Sequence, residues 1–517
     1  MNAIIRTCLV GAAVASGMAH GAIEMRSDYP AGNVKVLGID ETNGVVRVAP
    51  DLRDTEGKWF HFDFTVRGTA GRTLRFQFPQ DKYEYLSSLG PAISRDGGAT
   101  WTWLNADGTR YKPINYFNYA FAPDESETRF AFSIPYTQKN WDAASVRWRG
   151  KGGVEFGVLC KSQSGKRDTE MLRIRSRKEP KWLFAFTARH HACETTADSV
   201  MEGIIDEIIS GSPEGEWIRD NADCVFIPFM DNDGVENGDQ GKNRRPHDHN
   251  RDYIEGRYTS VRAFKELIER ESSGRQIVFF DLHSPNQRGG HHETAHSIGC
   301  GWLPEANARW HSFRRKWIEA QKGGRLSYDG KRDYVSTKKK HDGDIAKGFS
   351  TARHWVQDRP NCWLSVCCEF GYSLCGGVYS QDGGRELGHS LLKAAVRTVR
   401  EAVSGANLIA NGTFDSGELS PWTALSFEPR GDSSVGNLGD LGRAKAKRGV
   451  GGIHSSGEAG NDRGYPPSRR RVAKRCPRRG SLLYKKLIGV SAALFAALCG
   501  APDFFQNRPT QRGEILV

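Results

Sequence analysis

Between about residues 35 and 150, apolar and polar side chains alternate along the chain. In KWFHFDFTVRG the apolar positions are Phe60, Phe62, Phe64 and Val66, and RTLRFQF repeats the pattern with Leu74, Phe76 and Phe78. A period of two predicts strands with one buried face. Turn residues recur at short intervals and helical periodicity is not found in this part. The pattern therefore predicts an all-β sandwich.

From about residue 180 the pattern changes to apolar runs that alternate with amphipathic segments. The runs are WLFAFT, CVFIPFM, QIVFFDL and CWLSVCC. Strands that are apolar on both faces belong to a sheet that is covered on both sides. Between the runs, TTADSVMEGIIDEII places its apolar residues at helical intervals: Ala197, Val200, Met201, Ile204, Ile205 and Ile208. An α/β domain is predicted, which ends near the helix LLKAAVRTVREAV.

The N-terminal residues 1–21 have the pattern of a secretory signal peptide. Arg6 precedes a short apolar stretch, and an A-x-G site follows at Ala19 to Gly21. The alternative is a buried N-terminal helix. We expect an exported protein, periplasmic or secreted, in which ten cysteines remain after cleavage. Export permits disulfides, but spacing alone does not pair the cysteines.

The 517 residues allow two or three domains. We predict a signal peptide (1–21), the β-sandwich (22–165), the α/β domain (166–406), a fragment resembling the start of an accessory carbohydrate-binding-type β-sandwich (407–435) and a basic, low-complexity, disordered tail (436–517). The tail contains the apolar stretch LIGVSAALFAALCGA, which at about 15 residues is marginal for crossing a bilayer. No stable membrane span is expected, and the stretch reads as a weak anchor or as non-native sequence.

The positive charge of the chain lies mostly in this tail. The formal net charge is +12, and the residues from Gly436 onward hold 16 Lys and Arg against 5 Asp and Glu, a surplus of 11. The remainder of the chain is left with about +1, so total charge gives no support for a nucleic-acid partner.

Polar side chains with metal-binding chemistry follow the four apolar runs. His191 and Glu194 follow WLFAFT, Asp231 follows CVFIPFM, His283 follows QIVFFDL and Glu369 follows CWLSVCC. Ligands bind outside the carboxyl ends of the strands in open α/β sheets. Two histidines and one carboxylate are a ligand set for a hydrolytic zinc, and a separate carboxylate can serve as general base. We predict one Zn²⁺ per chain, bound by His191, Glu194 and His283.

Together with these predicted ligands and this base, the sequence of residues 35 to 405 resembles the zinc carboxypeptidases, in particular the cytosolic-carboxypeptidase-like branch and its bacterial relatives. The H-x-x-E pair with a distant histidine carries the resemblance, together with D-x-N-R at Asp248, Asn250 and Arg251. FSIPYT, residues 132–137, is similar to the end of the β-sandwich that precedes the catalytic domain in that branch. The resemblance implies a mixed sheet flanked by helices, after an all-β sandwich.

The resemblance also implies roles for the remaining polar residues. Asn250 and Arg251 would hold the C-terminal carboxylate of the substrate, Asp248 would support the first zinc histidine, and Glu369 would be the catalytic glutamate. An arginine would polarise the scissile carbonyl group. NRRPHDHNR offers Arg244 and Arg245 for this role, with a slight preference for Arg245. The family's N-P-D-G is replaced by D-N-D-G at 231–234.

Several neighbouring residues have a simpler interpretation. His190 is interpreted as a neighbour of the metal site, and Cys193 as a packing residue. Asp231 and Asp233 favour a turn over a calcium loop, because the spacing of an EF-hand is incomplete. HHETAHS (291–297) is interpreted as a solvated or substrate-facing loop.

The sequence thus predicts an enzyme, a zinc metallocarboxypeptidase that hydrolyses C-terminal amino acids from peptides or proteins. One alternative is a zinc amidase or deacylase on the same scaffold, which the preceding β-sandwich disfavours. Another is a catalytically inactive module that binds cell-wall or glycan material, which the intact Glu369 disfavours. Side-chain preference, α or γ linkage and oligomeric state do not follow from these residues.

Overall fold

The computed structural model describes residues 21–404 and the backbone of two further strands, 423–427 and 433–437. Residues 1–20 of the predicted signal peptide, most of the predicted accessory fragment and almost all of the basic tail lie outside the described residues, and these predictions stay predictions. No helix within the described part has the length and apolarity needed to span a bilayer. The two late strands, β18 (Thr423–Phe427) and β19 (Ser433–Asn437), form an antiparallel pair.

The N-terminal part is built from nine strands in two sheets, which confirms the predicted sandwich. The strands are β1 (Glu24–Arg26), β2 (Lys35–Asp40), β3 (Val45–Ala49), β4 (Asp63–Arg67), β5 (Thr73–Gln77), β6 (Ala92–Ser94), β7 (Thr102–Trp103), β8 (Tyr116–Ala120) and β9 (Glu127–Ala131). One sheet has the order β1-β4-β9-β6-β7 and the other β2-β3-β5-β8. Their inner faces share one aromatic core that includes Phe62, Phe64, Phe76 and Phe130, as the alternation predicts.

The second part is an eight-stranded mixed sheet flanked by helices. Its strands are β10 (Val154–Lys161), β11 (Asp168–Ile174), β12 (Trp182–Ala188), β13 (Ala222–Ile227), β14 (Gln276–His283), β15 (His296–Cys300), β16 (Tyr334–Ser336) and β17 (Cys362–Glu369). The order is β10-β11-β13-β12-β14-β17-β15-β16. The central strands β13, β12, β14 and β17 are parallel to one another, so their carboxyl ends meet at one edge.

The predicted boundary after residue 165 is corrected by this topology. It falls between β10 and β11, but the two strands pair over Val154–Lys161 and Asp168–Ile174 and lie in the large sheet. The sheet of the second part therefore begins at Val154.

Nine helices are described: α1 (Gln138–Ser145), α2 (Thr196–Ile209), α3 (Pro213–Asn221), α4 (Asn232–Asn237), α5 (Thr259–Glu271), α6 (Pro304–Ala320), α7 (Lys338–Ile345), α8 (Ala352–Gln357) and α9 (Gln381–Val403). Short 3₁₀ turns occur at His249–Arg251 and Gly290–Glu293.

Strand β12 shows why its sequence is apolar throughout. Phe184 and Phe186 pack into a core with α2, α6 and α9 on one face of the sheet, whereas Leu183 and Ala185 pack with α5 and α8 on the other. Helices α2 and α9 approach closely at Gly203 because glycine has no side chain: a Cβ atom there would be 2.0 Å from the Arg385 carbonyl oxygen. The helices thus cover both faces of the sheet at its central strands.

The cysteines of the described part are free thiols: Cys160, Cys193, Cys224, Cys300, Cys362, Cys367, Cys368 and Cys375. Most of them are buried and pack as small apolar residues.

Candidate metal centre

The two predicted zinc histidines point the same ring nitrogen at one carboxylate. His191 Nδ1 lies 2.9 Å from Glu194 Oε1, and His283 Nδ1 lies 2.7 Å from Glu194 Oε2. His191, Glu194 and His283, called the ligand trio below, are buried, and their potential ligand atoms lie within 4.8 Å of one another. The donor set of two imidazoles and one carboxylate fits Zn²⁺ with a position left for water.

Each histidine is supported on its other nitrogen by an aspartate. His191 Nε2 is 3.2 Å from Asp248 Oδ1, and His283 Nε2 is 2.9 Å from Asp281 Oδ2. A carboxylate behind a metal-binding imidazole fixes the orientation of the ring and makes the free nitrogen a better ligand. The predicted position of Asp248 behind His191 is where the structure has it. The support of His283 by Asp281 was not predicted. The sequence DLH does contain the signal, since residues two apart on a strand point to the same face of the sheet.

A second acidic and imidazole group lies directly behind the first. It comprises His190, Asp281 and His283, whose ligand atoms also lie within 4.8 Å of one another. His190 Nδ1 is 3.0 Å from Asp281 Oδ1, and its Nε2 is 2.7 Å from the Tyr253 hydroxyl group. This fully buried group shares His283 with the ligand trio, and we interpret it as the support for that ring.

Glu369 stands at the same strand ends as the trio. It pairs in register with His283 across β14 and β17, and it is a lining residue of the cleft. Its Oε2 atom is buried and has no hydrogen-bond partner among the described residues. An orphaned carboxylate oxygen beside a hydrolytic ligand set fits a group that takes a proton from water.

The electrostatics of the cluster follow from burial and opposing charges. Burial disfavours the ionised form of Glu194, but Lys242 and the two histidines hold the pKa of Glu194 well below its usual value. Burial also opposes charge on His283, yet Asp281 and Glu194 raise the pKa of His283 well above the ordinary histidine value. Glu369 differs, because burial dominates and raises its pKa.

The cleft in front of the trio has a volume of about 750 Å³. Residues of both parts of the chain line it, including Glu56 and Trp59 from the sandwich and His291, His292, His296 and Tyr334 from the second part. The 290–293 turn is held to the sandwich by Glu293, which binds Ser88 and Arg110. The predicted substrate-facing position of the histidine-rich loop thus depends on long-range contacts that its own sequence does not show.

Arg251 and Asn250 differ in position. Arg251 lines the cleft and donates from Nη1 to the Asn250 carbonyl oxygen at 2.8 Å, and within residues 21–404 it forms no salt bridge. Asn250 does not line the cleft. Its Nδ2 donates to Asp281 Oδ2 at 3.1 Å and its Oδ1 accepts from the Ala352 amide at 2.9 Å. The expected contact of Asn250 with substrate is corrected, because the protein already uses both of its polar atoms.

Neither candidate for the carbonyl-polarising arginine faces the trio. The Arg244 side chain is buried among carboxylates, 2.6 Å from Asp54 and 3.2 Å from Asp239, and it also pairs with Asp231. The Arg245 side chain is 77% exposed at the rim and pairs with Glu56. The slight preference for Arg245 is therefore corrected: its charge lies in solvent, paired with a carboxylate of the sandwich.

Asp231, Asp233 and Cys193, interpreted as turn or packing residues, form contacts within the protein. Asp231 caps α4 by accepting from the Gly234 amide at 3.0 Å, and Asp233 binds Ser162 and Ser164. Cys193 is buried in the aromatic core of the sandwich, 3.9 Å from the Tyr372 hydroxyl group.

Comparison with known proteins agrees with this architecture. The family model described as zinc carboxypeptidase matches residues 155–283, which include His191, Glu194 and His283. A metallo-carboxypeptidase structure from Burkholderia cenocepacia covers 74% of this chain and 100% of its own, with a TM-score of 0.59 and 19% identity. At this identity the likeness shows the fold. Residues 155–283 are therefore similar to the zinc carboxypeptidase domain, and the larger part of the chain shares its fold with a metallo-carboxypeptidase.

Several curated relatives are named cytosolic carboxypeptidases. Cytosolic carboxypeptidase 3 of Bos taurus is 24% identical over 308 residues, which are 53% of this chain and 30% of that protein. Cytosolic carboxypeptidase 6 of Caenorhabditis elegans is 22% identical over 396 residues, covering 72% of this chain and 83% of that protein. The chain spans about a third of the length of the first relatives it matches.

Proposed function

We propose that this protein is a zinc-dependent metallocarboxypeptidase that removes the last amino acid from peptides or proteins. One observation carries the proposal: His191 and Glu194 line one cleft with Glu369 and Arg251, and His283 lies directly behind them, 2.7 Å from Glu194. The trio would hold Zn²⁺. When bound there, zinc would lower the pKa of a water molecule towards about 7 and polarise a carbonyl group.

Glu369 would act as the general base in this reaction. Its free Oε2 accepts the proton of the attacking water while the oxygen forms a bond with the carbonyl carbon. When the C–N bond breaks, Glu369 returns this proton to the leaving amine, so the proton count balances. Burial raises the pKa of Glu369, which makes it a better proton acceptor than an exposed glutamate.

Arg251 would restrict cleavage to the chain end. A guanidinium group can bind a carboxylate through two parallel hydrogen bonds. Arg251 lies in the cleft without a salt bridge to any described carboxylate, so its charge is available to an acidic ligand. A peptide whose terminal carboxylate binds there would present its last peptide bond to Glu369 and the trio.

The deciding experiment uses a peptide library with free C-termini, digested by the zinc-loaded protein and read by mass spectrometry. Loss of one C-terminal residue at a time is expected, together with one zinc per chain by metal analysis. The same peptides with amidated C-termini serve as the control. Equal cleavage of both forms would contradict the proposal and favour the amidase alternative, and internal cleavage would identify an endopeptidase.

Export is a separate proposal that rests on residues 1–21 alone. Fractionation of cells that express the full chain, followed by N-terminal sequencing, tests it. A mature protein that begins after Gly21 and lies outside the cytoplasm is expected, and an intact N-terminus would contradict it.

A further inference from the structure

Four lysine and arginine side chains line the described part of the cleft: Lys242, Arg244, Arg245 and Arg251. Three of them are either too far from the reacting carbonyl group or already assigned another role. Arg244 is neutralised by buried carboxylates, Arg245 is in solvent at the rim, and Arg251 is placed for the terminal carboxylate. Only Lys242 lies in contact with the ligand trio.

Lys242 is buried beside the carboxylate that bridges the two histidines. Its Nζ atom lies 2.5 Å from Glu194 Oε1 and 3.2 Å from the Ser284 carbonyl oxygen. The ring of Trp59 lies 6.0 Å away and covers the ammonium group from the sandwich side. Ser284 directly follows His283, so the ammonium group is held between the loops of two ligand-bearing strands.

The preceding residues explain why the lysine reaches this place. Gly241 has φ +73°, and a Cβ atom there would be 2.2 Å from the amide nitrogen of Ala192. Glycine thus lets this loop pack directly against the loop that holds His191. One residue earlier, the Gln240 side chain bonds both the amide and the carbonyl group of His61, each at 2.8 Å. The loop is fixed on both sides.

The hydrogen-bond capacity of the ammonium group is not used up. It has three N–H donors, and within residues 21–404 its oxygen partners are Glu194 and Ser284. One N–H is therefore left, on a group that lines the cleft. A fixed, buried cation with a free donor beside a hydrolytic centre matches the requirement for stabilising a developing oxyanion.

We infer that Lys242 is a catalytic residue that donates this third hydrogen bond to the carbonyl oxygen of the scissile peptide. This inference rests on the proposed carboxypeptidase function. As the water oxygen adds to the carbonyl carbon, the π electron pair of the C=O bond moves onto the carbonyl oxygen. Lys242 stabilises that charge and keeps its own proton. When the C–N bond breaks, the electron pair returns to re-form the C=O bond, and Lys242 is unchanged.

Lys242→Met tests the inference, because methionine keeps the length and apolar stem of the side chain and removes the charge and the donors. Lys242→Arg restores a cation with donors. Lys338→Met is the matched control, since Lys338 is an exposed lysine on α7 that pairs with Asp342. Arg245→Met tests the rival arginine. Each variant is measured for zinc content, peptide hydrolysis and affinity for a phosphinic peptide, whose tetrahedral anion resembles the charged state.

We expect Lys242→Met to keep one zinc per chain and to lose about 100- to 1,000-fold in kcat, with KM little changed. Its affinity for the phosphinic peptide should fall at least tenfold, while its affinity for the free product amino acid stays within about threefold. Lys242→Arg should recover part of both losses, and Lys338→Met should match the wild type.

Three outcomes would overturn the inference: a Lys242→Met variant with nearly full kcat, a variant that fails through loss of zinc, or equal losses of phosphinic-peptide and product affinity. A loss of kcat in Arg245→Met instead would transfer the role to the arginine. Failure of the proposed function is distinguished by the wild type, which would then cleave no C-terminal residue at all.

Discussion

His283 and Glu369 are register partners at the carboxyl ends of the adjacent parallel strands β14 and β17. This pairing fixes a predicted metal ligand and a predicted base on two rigid elements of the sheet. Glu194 bridges to His283 from the loop after β12, so three neighbouring strand ends contribute to one centre. The geometry needs no loop movement to bring ligand and base together.

Replacement of Glu369 by glutamine should separate metal binding from catalysis. The change is nearly isosteric, and Glu369 is not part of the ligand trio. Zinc content and melting temperature should therefore match the wild type. Turnover should fall by about 10²- to 10⁴-fold, because the proton acceptor is removed. Activity is measured on one free-acid peptide. Glu386→Gln is the control, because the Glu386 side chain is partly exposed and pairs with Arg325. Turnover within a few fold of wild type would show that another group is the base.

Replacement of Arg251 by alanine should cost selectivity for a free C-terminus. Loss of a charge-assisted fork predicts a decrease in kcat/KM of at least tenfold on a free-acid peptide. The amidated peptide, already a poor substrate, should change little. Arg257→Ala is the control, since Arg257 is exposed and pairs with Glu255. Equal losses on both peptides would place Arg251 in folding or metal binding instead.

Asn250→Ala provides a contrast to Arg251→Ala. Because Asn250 contacts Asp281 and Ala352 and does not line the cleft, its loss should lower activity on the acid and the amide alike. A selective loss on the free-acid peptide would restore the role that the resemblance implied for this residue.

Local pattern was sufficient for the core elements. Strand β12 is apolar throughout because helices cover both of its faces, and the alternating positions Phe62 and Phe64 mark the sandwich core. The H-x-x-E spacing places His191 and Glu194 in one short loop, and their partner His283 lies where a buried run ends. The structure brings these three side chains together.

Features that depend on contacts between distant parts of the chain could not be predicted from the local sequence pattern. Strand β10 lies at a sheet edge and exposes residues such as Val158, so its pattern is similar to that of the sandwich strands. The roles of Arg244 and Lys242 depend on which carboxylates surround them after folding, and the basic residues of KNRRPHDHNR (242–251) cannot be told apart by spacing. Trp59 reaches the cleft only because the sandwich packs against the second part of the chain.

Glu207 should make the stability of the protein depend on pH on the acid side. It joins three elements: Oε1 accepts from Ser212 Oγ at 2.5 Å, and Oε2 lies 2.9 Å from His389 Nδ1 and 3.5 Å from Lys393 Nζ. Burial opposes its ionisation, but these partners lower the pKa of Glu207 below its usual value. The stability that it contributes is present above the unfolded-state pKa and is lost as pH falls through the lower, folded-state pKa.

Glu207→Gln should therefore melt at a lower temperature than wild type at pH 7. The expected decrease in the free energy of unfolding is about 1–3 kcal/mol. The difference should shrink as the pH falls through the carboxyl range. Thermal melts at a series of pH values measure it, and Glu305→Gln, an exposed helix-surface variant, is the control. A difference that stays constant with pH would show that the charge of Glu207 does not stabilise the folded state.

Asp281→Asn should weaken zinc binding although Asp281 is not one of the trio. Asp281 is fully buried, and it lies 2.9 Å from His283 Nε2 and 3.0 Å from His190 Nδ1 while it accepts from Thr187 Oγ1 at 2.8 Å. Burial opposes its charge, yet the two histidines hold the pKa of Asp281 well below the ordinary value. Asparagine would keep the shape and remove the charge that orients His283.

Loss of such a supporting carboxylate typically costs 10- to 100-fold in metal affinity. Competition with a chelator of known affinity measures the constant for wild type, Asp281→Asn and Asp248→Asn, which removes the corresponding support of His191. Both variants should bind zinc more weakly at unchanged stoichiometry, and circular dichroism should verify that each is folded. If Asp281→Asn is folded and binds zinc as tightly as wild type, His283 is positioned by packing alone, and the carboxylate has no part in the metal site.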